Sequence, residues 1–304
     1  MRVIECDEYG GPEVLHLATR PLPVVLPGTI RLRVRAAGVN PADPKLRQGM
    51  FHAVAPFTFP QVLGYDVAGT VESIGPGVTG FAAGDPVFAM LDTLERGAYA
   101  EYVLVPAAEA VPIPPGLSFA TAAAIPTGGL TGVQMIEEYA QPRPGDTVLI
   151  TGATGSVGRF AMFAARRRDV RIIAAVRASQ RDEAIALGAA ETLILGTDGW
   201  TGPAFQYVID TVGGPDVAAL CRHMRDDGAI FTAATTPIDP RGLAHTPEFV
   251  VVHHDSVRLA QLAQAVAAGE LHVPVACCLP LAEAAAAHRL VEAGGNGGKI
   301  ILEL

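Results

Sequence analysis

Apolar and polar positions alternate along several short segments in the first third of the chain. Residues 31–35 (RLRVR) place charged and apolar side chains in strict alternation, which is typical of a strand with one buried face. Residues 67–74, 86–89 and 100–105 have the same short, strand-like character, and glycine and proline residues separate them. No helical period is sustained for more than about ten residues in this part. The pattern therefore predicts a compact, mostly β domain.

The pattern of apolar and polar positions changes at a proline-rich stretch over residues 112–115. Beyond it, Ser118 is placed to cap a helix over residues 118–124. Apolar strands and helices then alternate. Strands are predicted at residues 146–151, 170–176, 192–195, 207–210 and 228–233, and helices at residues 156–168, 181–187 and 256–268. Nearly continuous apolar strands alternating with helices indicate an α/β fold, a doubly wound parallel sheet covered on both faces.

The chain is thus predicted to contain two domains, one of them discontinuous. The final strand-like segment, residues 299–302 (KIIL), is predicted to return to the first domain. The mostly β domain is expected to span residues 1–117 and to be completed by residues 270–304. The α/β domain is expected to span residues 118–269.

One glycine-rich turn carries most of the recognisable chemistry. The strand at residues 146–151 runs directly into it, and a helix follows, which is the context of a dinucleotide-binding loop. The candidate cofactor-binding residues of this loop are Gly152, Ala153, Thr154, Gly155, Ser156, Val157 and Gly158. Gly155 permits a close approach of the backbone to a pyrophosphate, and Gly158 permits close packing of helix and strand. The amides and dipole at the helix start favour a bound phosphate. A glycine turn without a ligand is the alternative.

The end of the second strand indicates which dinucleotide binds. An NAD site has an acidic residue about twenty residues beyond the motif, which holds the ribose 2′-hydroxyl. Here Arg177, Ser179 and Arg181 occupy that region, and no carboxylate occurs before Asp182. Guanidinium groups bind phosphate through charge-assisted hydrogen bonds. The sequence therefore favours NADPH, although a solvated Arg177 without a ligand is the simpler alternative.

Composition narrows the functional class. The 304 residues have a formal net charge of -9, which argues against nucleic-acid binding. The four cysteines are too few and too poorly spaced for a disulfide-stapled secreted fold. No segment approaches the roughly 18 uninterrupted apolar residues of a membrane helix. The N-terminal residues are acidic where a signal peptide is apolar. A cytoplasmic protein with no membrane or nucleic-acid partner is expected.

A series of motifs resembles the zinc-independent quinone oxidoreductase branch of the medium-chain dehydrogenase/reductase superfamily. The resemblance covers nearly the whole chain in order. Its motifs lie at residues 36–43 (AAGVNPAD), 63–72 (LGYDVAGTVE), 78–87 (VTGFAAGDPV), 98–102 (AYAEY), 126–131 (PTGGLT), 210–214 (DTVGG) and 298–302 (GKIIL). The resemblance implies a GroES-like catalytic domain interrupted by a Rossmann domain, with the cofactor in the cleft between them. It also implies NADPH-dependent reduction of quinones or α,β-unsaturated carbonyls by a homodimer.

Departures from the zinc-dependent relatives suggest that this chain holds no metal. Asn40 stands where those enzymes place a cysteine ligand, and Tyr65-Asp66 stands where they place a His-Glu pair. Residues 86–98, where the resemblance places a structural zinc lobe, contain no cysteine. Asparagine and tyrosine are poor substitutes for the thiolate, imidazole and carboxylate donors of zinc sites. Hydride delivery to an acceptor that is already conjugated is the simplest chemistry without a Lewis acid.

The resemblance also suggests roles for single residues. Asn40 is the candidate for a hydrogen bond to the substrate oxygen and also lies near the nicotinamide, with a loop-capping asparagine as the alternative. Lys45 is a candidate electrostatic stabiliser of an enolate, or a solvated lysine. Tyr65 is a candidate pocket hydroxyl, or a packed tyrosine. Asp43 is expected to be structural. The further cofactor-binding candidates are Thr127, Val212, Gly213, Phe231, Ala233 and Lys299.

Two other functions remain open from the sequence. One is an enoyl-thioester reductase of the same superfamily, which would need a groove for a phosphopantetheine arm. The other is a non-catalytic NADPH-binding protein that acts as a sensor or as a structural, crystallin-like member. Turnover of NADPH with simple acceptors separates the enzyme from the non-catalytic protein.

Overall fold

The computed structural model describes residues 1–197 and 199–304. The strands are β1 Arg2–Cys6, β2 His16–Thr19, β3 Thr29–Val39, β4 Gln61–Val62, β5 Asp66–Ile74, β6 Pro86–Met90, β7 Tyr102–Pro106, β8 Val111–Pro112, β9 Thr147–Thr151, β10 Arg171–Val176, β11 Glu191–Ile194, β12 Phe205–Asp210, β13 Met224–Thr232, β14 Glu248–Phe249, β15 Val275–Pro280 and β16 Lys299–Glu303. The α-helices are α1 Ala42–Arg47, α2 Phe119–Ala123, α3 Pro126–Gln134, α4 Ser156–Arg166, α5 Arg181–Ala186, α6 Gly214–Cys221, α7 Ser256–Ala267 and α8 Ala284–Ala293. Short 3₁₀ turns lie at Pro12–Val14, Ala178–Gln180 and Leu281–Glu283, and a π-helix at Met135–Ala140 follows α3.

The chain forms two compact units, one of which is discontinuous in sequence. The first unit comprises Met1–Thr127 and His254–Leu304, and the second comprises Gly128–His253. The predicted boundaries, 117/118 and 269/270, therefore move. Helix α2 contacts β3 and β5, and α7 contacts β8, so both helices belong to the first unit. Hydrophobic periodicity locates a helix but does not tell which sheet it covers, and this explains the difference.

The first unit is built mainly from antiparallel strands. One sheet has the order β15-β16-β3-β5-β6-β8, with β7 also paired to β3, and a smaller sheet has the order β2-β1-β4. Strand β3 is longer than the alternation at residues 31–35 predicts. Its second half, residues 36–39, is buried on both faces, so the alternating pattern ends although the strand continues. Ser118 caps α2 as predicted, since its hydroxyl accepts the Thr121 amide at 3.1 Å.

The second unit is a six-stranded parallel sheet with helices, as the alternating pattern predicts. The strand order is β11-β10-β9-β12-β13-β14, and neighbouring strands pair in parallel. Strand β9 lies at the centre and continues directly into the glycine loop and α4. Its residues 148–151 are fully buried, which explains their continuous apolar character. The combination of a Rossmann-type unit with a mostly β unit confirms the predicted fold class.

The length and hydropathy of the helices were compared with those of a membrane-spanning helix. Within residues 1–197 and 199–304, none is both long and apolar enough to cross a bilayer.

Candidate active site

The glycine loop lies at the carboxyl end of the central strand of the second unit. Gly152 adopts a left-handed conformation with φ of +58° and donates its amide to the Ala175 carbonyl at 2.9 Å. Gly155 then donates to the Gly152 carbonyl at 2.8 Å and caps α4 in an extended conformation. The loop therefore turns tightly and directs the N-terminal amides of α4 toward the sheet edge. Such an edge is the usual place for a nucleotide pyrophosphate in a doubly wound sheet.

Glycine occurs at positions 155 and 158 of the loop for different physical reasons. A Cβ atom on Gly158 would lie 2.3 Å from the Gly152 carbonyl oxygen and 2.7 Å from the Ala153 Cα, so α4 packs directly on the loop. A Cβ atom on Gly155 would have one neighbour within 4 Å, the Gly152 carbonyl oxygen at 3.1 Å. Gly158 is thus required by helix packing, whereas Gly155 leaves open space beside the backbone. Gly158 thus has the packing that the sequence predicts, and the approach of a pyrophosphate to Gly155 remains a prediction.

Hydroxyl groups in this loop fit a phosphate ligand. The Thr154 hydroxyl is buried and has no hydrogen-bond partner within the described part of the chain. The Ser156 hydroxyl also lacks one, and a Cβ atom on Gly128 would lie 2.2 Å from it. A buried polar atom without a partner is costly unless a ligand or water satisfies it. The orphaned Thr154 hydroxyl beside a helix N-terminus therefore fits the pyrophosphate of a dinucleotide.

The predicted 2′-phosphate residues follow the neighbouring parallel strand β10. Arg177 caps a 3₁₀ turn over Ala178–Gln180, and α5 begins at Arg181. Arg177, Ser179 and Arg181 are all exposed. Because β9 and β10 are parallel neighbours, these side chains and the glycine loop occupy the same edge of the sheet. The structure thus brings the two halves of the predicted cofactor site together.

Asp210 organises the adjoining strand ends, and the sequence analysis assigned it no role. Its carboxylate is fully buried and accepts the Thr151 hydroxyl at 2.6 Å and the Thr232 hydroxyl at 2.6 Å. It also accepts the amides of Val212 at 3.0 Å and Gly213 at 2.9 Å. The carboxylate therefore ties together the ends of β9, β12 and β13. In the sequence, the one indication of this role is a single acidic residue at the end of an apolar strand.

Further predicted cofactor residues lie at this edge. Gly213 has φ of +73°, and a Cβ atom there would lie 2.0 Å from the Thr236 carbonyl oxygen, so glycine is required. Val212 remains 39% exposed beside it. Phe231 is the penultimate residue of β13 and packs edge-on against Tyr139 of the π-helix. Ala233 donates its amide to the Asp210 carbonyl at 2.9 Å. Their contacts with a cofactor remain predictions.

A second polar cluster lies within the first unit, where three neighbouring strands meet. Asn40 follows the end of β3, Asp66 begins β5 and Lys299 begins β16. The register pairs Gly38 with Asp66 and Val39 with Ile300, so these strand ends lie side by side. A Cβ atom on Gly38 would lie 3.0 Å from Asp66 Cβ and 3.1 Å from Lys299 Cε. The absence of a side chain at Gly38 therefore makes room for the cluster.

The cluster is buried and densely hydrogen-bonded. Asp66 is fully buried, Asn40 is 3% exposed and Lys299 is 6% exposed. The Lys299 ammonium donates to Asn40 Oδ1 at 2.5 Å and to Asp66 Oδ2 at 3.0 Å. Asp66 Oδ2 also accepts Asn40 Nδ2 at 3.0 Å. Asp66 Oδ1 accepts both the amide and the hydroxyl of Thr127, at 2.9 Å and 2.5 Å.

These partners determine the orientation of the Asn40 amide. A carboxylate only accepts hydrogen bonds and an ammonium only donates them. The Asn40 nitrogen must therefore face Asp66, and the Asn40 oxygen must face Lys299. One amide proton is used by Asp66, which leaves the second as a fixed donor. The buried Lys299–Asp66 pair thus positions Asn40, a function of Asp66 that the sequence analysis missed.

The other predicted catalytic residues stand apart from this hydrogen-bonded cluster. Lys45 lies on the less buried face of α1, and partial burial lowers the pKa of its ammonium. Tyr65 is half-buried, and its pKa is raised, first by burial and then by the nearby charge of Asp43. Neither side chain shares a hydrogen bond with Asn40, Asp66 or Lys299 among the described contacts. Their catalytic roles remain predictions.

The donor set of this cluster does not fit a zinc ion. Zinc prefers thiolate, imidazole and carboxylate ligands that converge in a tetrahedron. Here the one carboxylate, Asp66, is already paired with the Lys299 ammonium, and the remaining donor is the Asn40 amide. Elsewhere in the described residues, Glu5, Asp7 and His16 lie close together, but Arg20 already pairs with Glu5 at 2.5 Å. Glu5 is buried and Asp7 and His16 are exposed, and no function is assigned to this group.

Comparisons with known proteins place the chain among alcohol dehydrogenase-like proteins. The alcohol dehydrogenase GroES-like domain family matches residues 26–115, and the zinc-binding dehydrogenase family matches residues 182–302. A 2-haloacrylate reductase from a Burkholderia species is 31% identical and covers 91% of each chain. Quinone oxidoreductase from Rattus norvegicus is 35% identical over 57% of this chain and 52% of its own length.

Solved structures agree with these sequence relatives. A crystal structure described as an NAD-dependent alcohol dehydrogenase superposes with a TM-score of 0.90, with 31% identity and full coverage of both chains. The mycobacterial protein Rv1454c in complex with NADPH superposes with a TM-score of 0.86, with 29% identity and full coverage of both chains.

Proposed function

The chain belongs to the quinone oxidoreductase branch of the medium-chain dehydrogenase/reductase superfamily, and we propose that it reduces quinones or other α,β-unsaturated carbonyl compounds without zinc. It is an NADPH-dependent oxidoreductase. The observation that carries the proposal is the Asn40 amide held between Lys299 and Asp66. The cluster contains a fixed hydrogen-bond donor and a compensated positive charge in place of a metal ion.

The glycine loop and its neighbours supply the binding of the cofactor in this proposal. Gly155 leaves space for the pyrophosphate, and the Thr154 hydroxyl and the first amides of α4 donate to it. Arg177, Ser179 and Arg181 hold the 2′-phosphate. Val212, Gly213, Phe231 and Ala233 border the remaining sugar and nicotinamide. When bound, NADPH supplies the hydride.

Asn40 acts on the acceptor in this proposal. Its second amide proton donates to the carbonyl oxygen of the substrate, where negative charge develops as hydride reaches the conjugated carbon. Lys299 stabilises the same charge through the Asn40 oxygen it holds. Because the acceptor is already conjugated, no Lewis acid is required to activate it. Lys45 and Tyr65 are proposed to border the acceptor, and the final proton comes from solvent.

The acceptor class is tested by the fate of the hydride. NADPH labelled with deuterium at C4 is incubated with the protein and either 1,4-benzoquinone or 2-cyclohexenone. We expect NADPH oxidation with at least one acceptor and, for the enone, deuterium at the β-carbon of the product. Oxidation without transfer of the label from either face of the nicotinamide to the enone product would contradict direct hydride transfer to an enone. Absence of oxidation with every quinone and enone tried would favour the non-catalytic alternative.

The preference for NADPH is tested at Arg177. Replacing Arg177 with alanine removes a charge-assisted contact with the 2′-phosphate, so the Kd for NADPH is expected to rise by about ten-fold or more. The Kd for NADH is expected to stay within about two-fold, because NADH has no 2′-phosphate. Isothermal titration measures both, and Arg289→Ala, an exposed arginine on α8, is the control for net charge. Equal losses for both cofactors would refute the assignment.

An unsaturated carboxylate is a second candidate acceptor. The 2-haloacrylate reductase relative is named for such a substrate. Lys45 supplies a half-buried ammonium in α1, and Asp43 of the same helix accepts the backbone amide of Asn40. If Lys45 binds a substrate carboxylate, Lys45→Met will raise KM for 2-chloroacrylate and leave KM for a neutral enone unchanged. An equal effect on both would remove this candidate.

We also propose a cytoplasmic homodimer. Support comes from the edge strand β14 of the second unit, where Phe249 is 48% exposed and Val251 is 68% exposed. Exposed apolar side chains beside an unpaired strand edge favour association with a second copy. Light scattering after size-exclusion chromatography is expected to give twice the mass of the chain, and Phe249→Arg is expected to reduce it toward the monomer. A monomeric wild-type protein would contradict the proposal.

A further inference from the structure

A chain of buried polar side chains lies behind Asn40 in the first unit. We call it the Arg47–Asp43 network, and it consists of Arg47, His288, Tyr99 and Asp43, all four of them fully buried. Arg47 Nη1 lies 3.1 Å from His288 Nδ1, and His288 Nε2 lies 3.2 Å from the Tyr99 hydroxyl. The Tyr99 hydroxyl lies close enough to the Asp43 carboxylate for each group to shift the pKa of the other. Asp43 Oδ2 in turn accepts the backbone amide of Asn40 at 2.7 Å.

The direction of each hydrogen bond in the network follows from its donors. Arginine only donates, so His288 Nδ1 accepts and the imidazole proton resides on Nε2. Burial, together with the charge of Arg47, lowers the pKa of His288 to about 3, which keeps the ring neutral. His288 Nε2 therefore donates to the Tyr99 oxygen. Asp43 Oδ1 is buried without a hydrogen-bond partner among the described residues, so it is the free acceptor toward which the Tyr99 proton can turn.

The far end of the network is anchored at helix α8. Arg47 Nε donates to the Gly10 carbonyl at 3.1 Å, and Arg47 Nη2 donates to Glu292 Oε1 at 2.5 Å. His288 and Glu292 both belong to α8, more than 240 positions after Arg47. Arginine does not lose its proton in proteins, so the network cannot conduct protons to the surface. Its geometry is suited to holding groups in place.

We propose that the Arg47–Asp43 network positions Asn40 for the reduction reaction, with the ionised Asp43 carboxylate as the working form. The proposal rests on the proposed function, because it concerns the residue assigned to the acceptor oxygen. The hydrogen bond from the Asn40 amide fixes the backbone between β3 and α1, and the Lys299–Asp66 pair fixes its side chain. The two supports are separate, and the network is the one supplied by α8.

The charged and titratable groups that face Asp43 determine when it is ionised. Burial, with a smaller contribution from the charge of Asp66, raises the pKa of Asp43 to about 7, and the Asn40 amide, Lys299 and the Tyr99 hydroxyl oppose this rise. Tyr65 also lies within electrostatic range of Asp43. Removing the Tyr99 hydroxyl takes away a donor that favours the carboxylate. The Asp43 pKa is therefore expected to rise in a Tyr99→Phe variant.

The test compares Tyr99→Phe with Tyr102→Phe, a control tyrosine on β7 outside the network. In single-turnover stopped-flow experiments with NADPH and 2-cyclohexenone, Tyr99→Phe is expected to slow NADPH oxidation by about ten-fold or more. The Kd for NADPH is expected to stay within two-fold, and the acid limb of the rate profile is expected to move to higher pH. The Asn40 backbone amide is expected to exchange faster with deuterium by NMR. Tyr102→Phe is expected to change none of these.

A second pair of variants separates positioning from general loss of stability. His288→Gln keeps an acceptor for Arg47 and a donor for Tyr99, so it is expected to retain most of the wild-type rate. His288→Leu has neither group and is expected to behave like Tyr99→Phe. Equal losses in both His288 variants, or a Tyr99→Phe variant with wild-type rate, pH profile and Asn40 exchange, would overturn the network. A wild-type protein that does not oxidise NADPH would instead refute the proposed function, while the Asn40 exchange measurement would still decide for or against the network.

Discussion

At the scale of single residues, the buried Lys299 ammonium can orient Asn40 because the Asp66 carboxylate compensates its charge. The Lys299 ammonium and the Asp66 carboxylate are both almost completely buried, and each has further hydrogen bonds to Asn40 or Thr127. Removing charges from water is costly, and only good geometry and additional hydrogen bonds offset that cost. As a result, the positions of both the oxygen and the nitrogen of the Asn40 side-chain amide are fixed by hydrogen bonds.

The ion pair can be tested by a double-mutant cycle. Asp66→Asn leaves a buried ammonium without its carboxylate, and the free energy of unfolding is expected to fall by about 3–5 kcal/mol. Lys299→Met leaves a buried carboxylate and is expected to cost a similar amount. The double variant is expected to be more stable than the sum of the two losses predicts, because no uncompensated charge remains. Urea unfolding measures all four proteins, and strict additivity would contradict a direct pair.

Asp43 makes the stability of the protein depend on pH. Burial raises its pKa in the folded state to about 7, whereas an unfolded aspartate titrates near about 3.9. A raised folded-state pKa means that the folded protein binds the proton more tightly. Its contribution to stability is complete below the unfolded pKa and is lost as the pH rises through about 7.

Asp43→Asn is expected to remove this dependence. Between pH 5 and pH 7, the unfolding free energy of the wild type should fall relative to the variant by about 1.4 kcal/mol per pH unit. Above pH 8 the difference should become constant. Urea unfolding at several pH values measures the slope. A constant difference between wild type and variant from pH 5 to pH 8 would show that Asp43 is ionised throughout this range.

At the scale of elements, the β9–loop–α4 unit combines two requirements that its glycines meet separately. Gly158 allows α4 to pack on the loop, and Gly155 leaves the backbone accessible from outside. Both are part of one short segment, so their consequences can be separated by parallel substitutions.

Alanine at the two positions is expected to have different effects. Gly158→Ala brings a methyl group to 2.3 Å from the Gly152 carbonyl oxygen and is expected to lower the unfolding free energy by about 1–3 kcal/mol. Gly155→Ala has one close neighbour and an ordinary φ of -73°, so stability should change by less than about 1 kcal/mol. Its added methyl group occupies the proposed phosphate space, and the Kd for NADPH should rise by about ten-fold or more, equivalent to about 1.4 kcal/mol. Loss of stability with unchanged NADPH binding in Gly155→Ala would contradict the assignment.

Local patterns predicted the elements better than their lengths. The helix predicted at residues 156–168 is α4 at Ser156–Arg166, and the strand predicted at residues 67–74 is β5 at Asp66–Ile74. Hydrophobic periodicity, glycine turns and capping residues predict these segments. Strand β1 and the π-helix were not predicted. Strand β1 depends on pairing with other strands, and the π-helix depends on packing inside the second unit. Neither dependence leaves a clear hydrophobic period in the local sequence.

At the scale of the whole molecule, the site in the first unit depends on segments from both ends of the chain. Lys299 and Asn40 are separated by 259 positions, and Lys299 and Asp66 by 233. Periodicity predicted that the strand at residues 299–302 returns to the first domain. It could not predict the register that places Lys299 beside Asn40, because strand register follows from the complete sheet. For the same reason, Asp66, Tyr99 and His288 received no functional role from the sequence.

The discontinuous first unit also gives the last fifty residues a functional meaning. They supply Lys299 to the Asn40 cluster and His288 and Glu292 to the Arg47–Asp43 network. The two supports of Asn40 therefore both depend on the C-terminal segment. In the proposed mechanism, this segment therefore contributes to the reaction as well as to the fold.

In the proposed mechanism, the hydrogen-bonded cluster around Asn40 takes the place of a metal site. The most direct measurement is the rate of NADPH oxidation with 2-cyclohexenone or 1,4-benzoquinone, before and after dialysis against a zinc chelator, with the zinc content determined on the same samples. The rate is expected to be unchanged by chelation, at a zinc content far below one ion per chain, and to fall in Asn40→Ala. A rate that disappears with chelation and returns when zinc is added would contradict this mechanism.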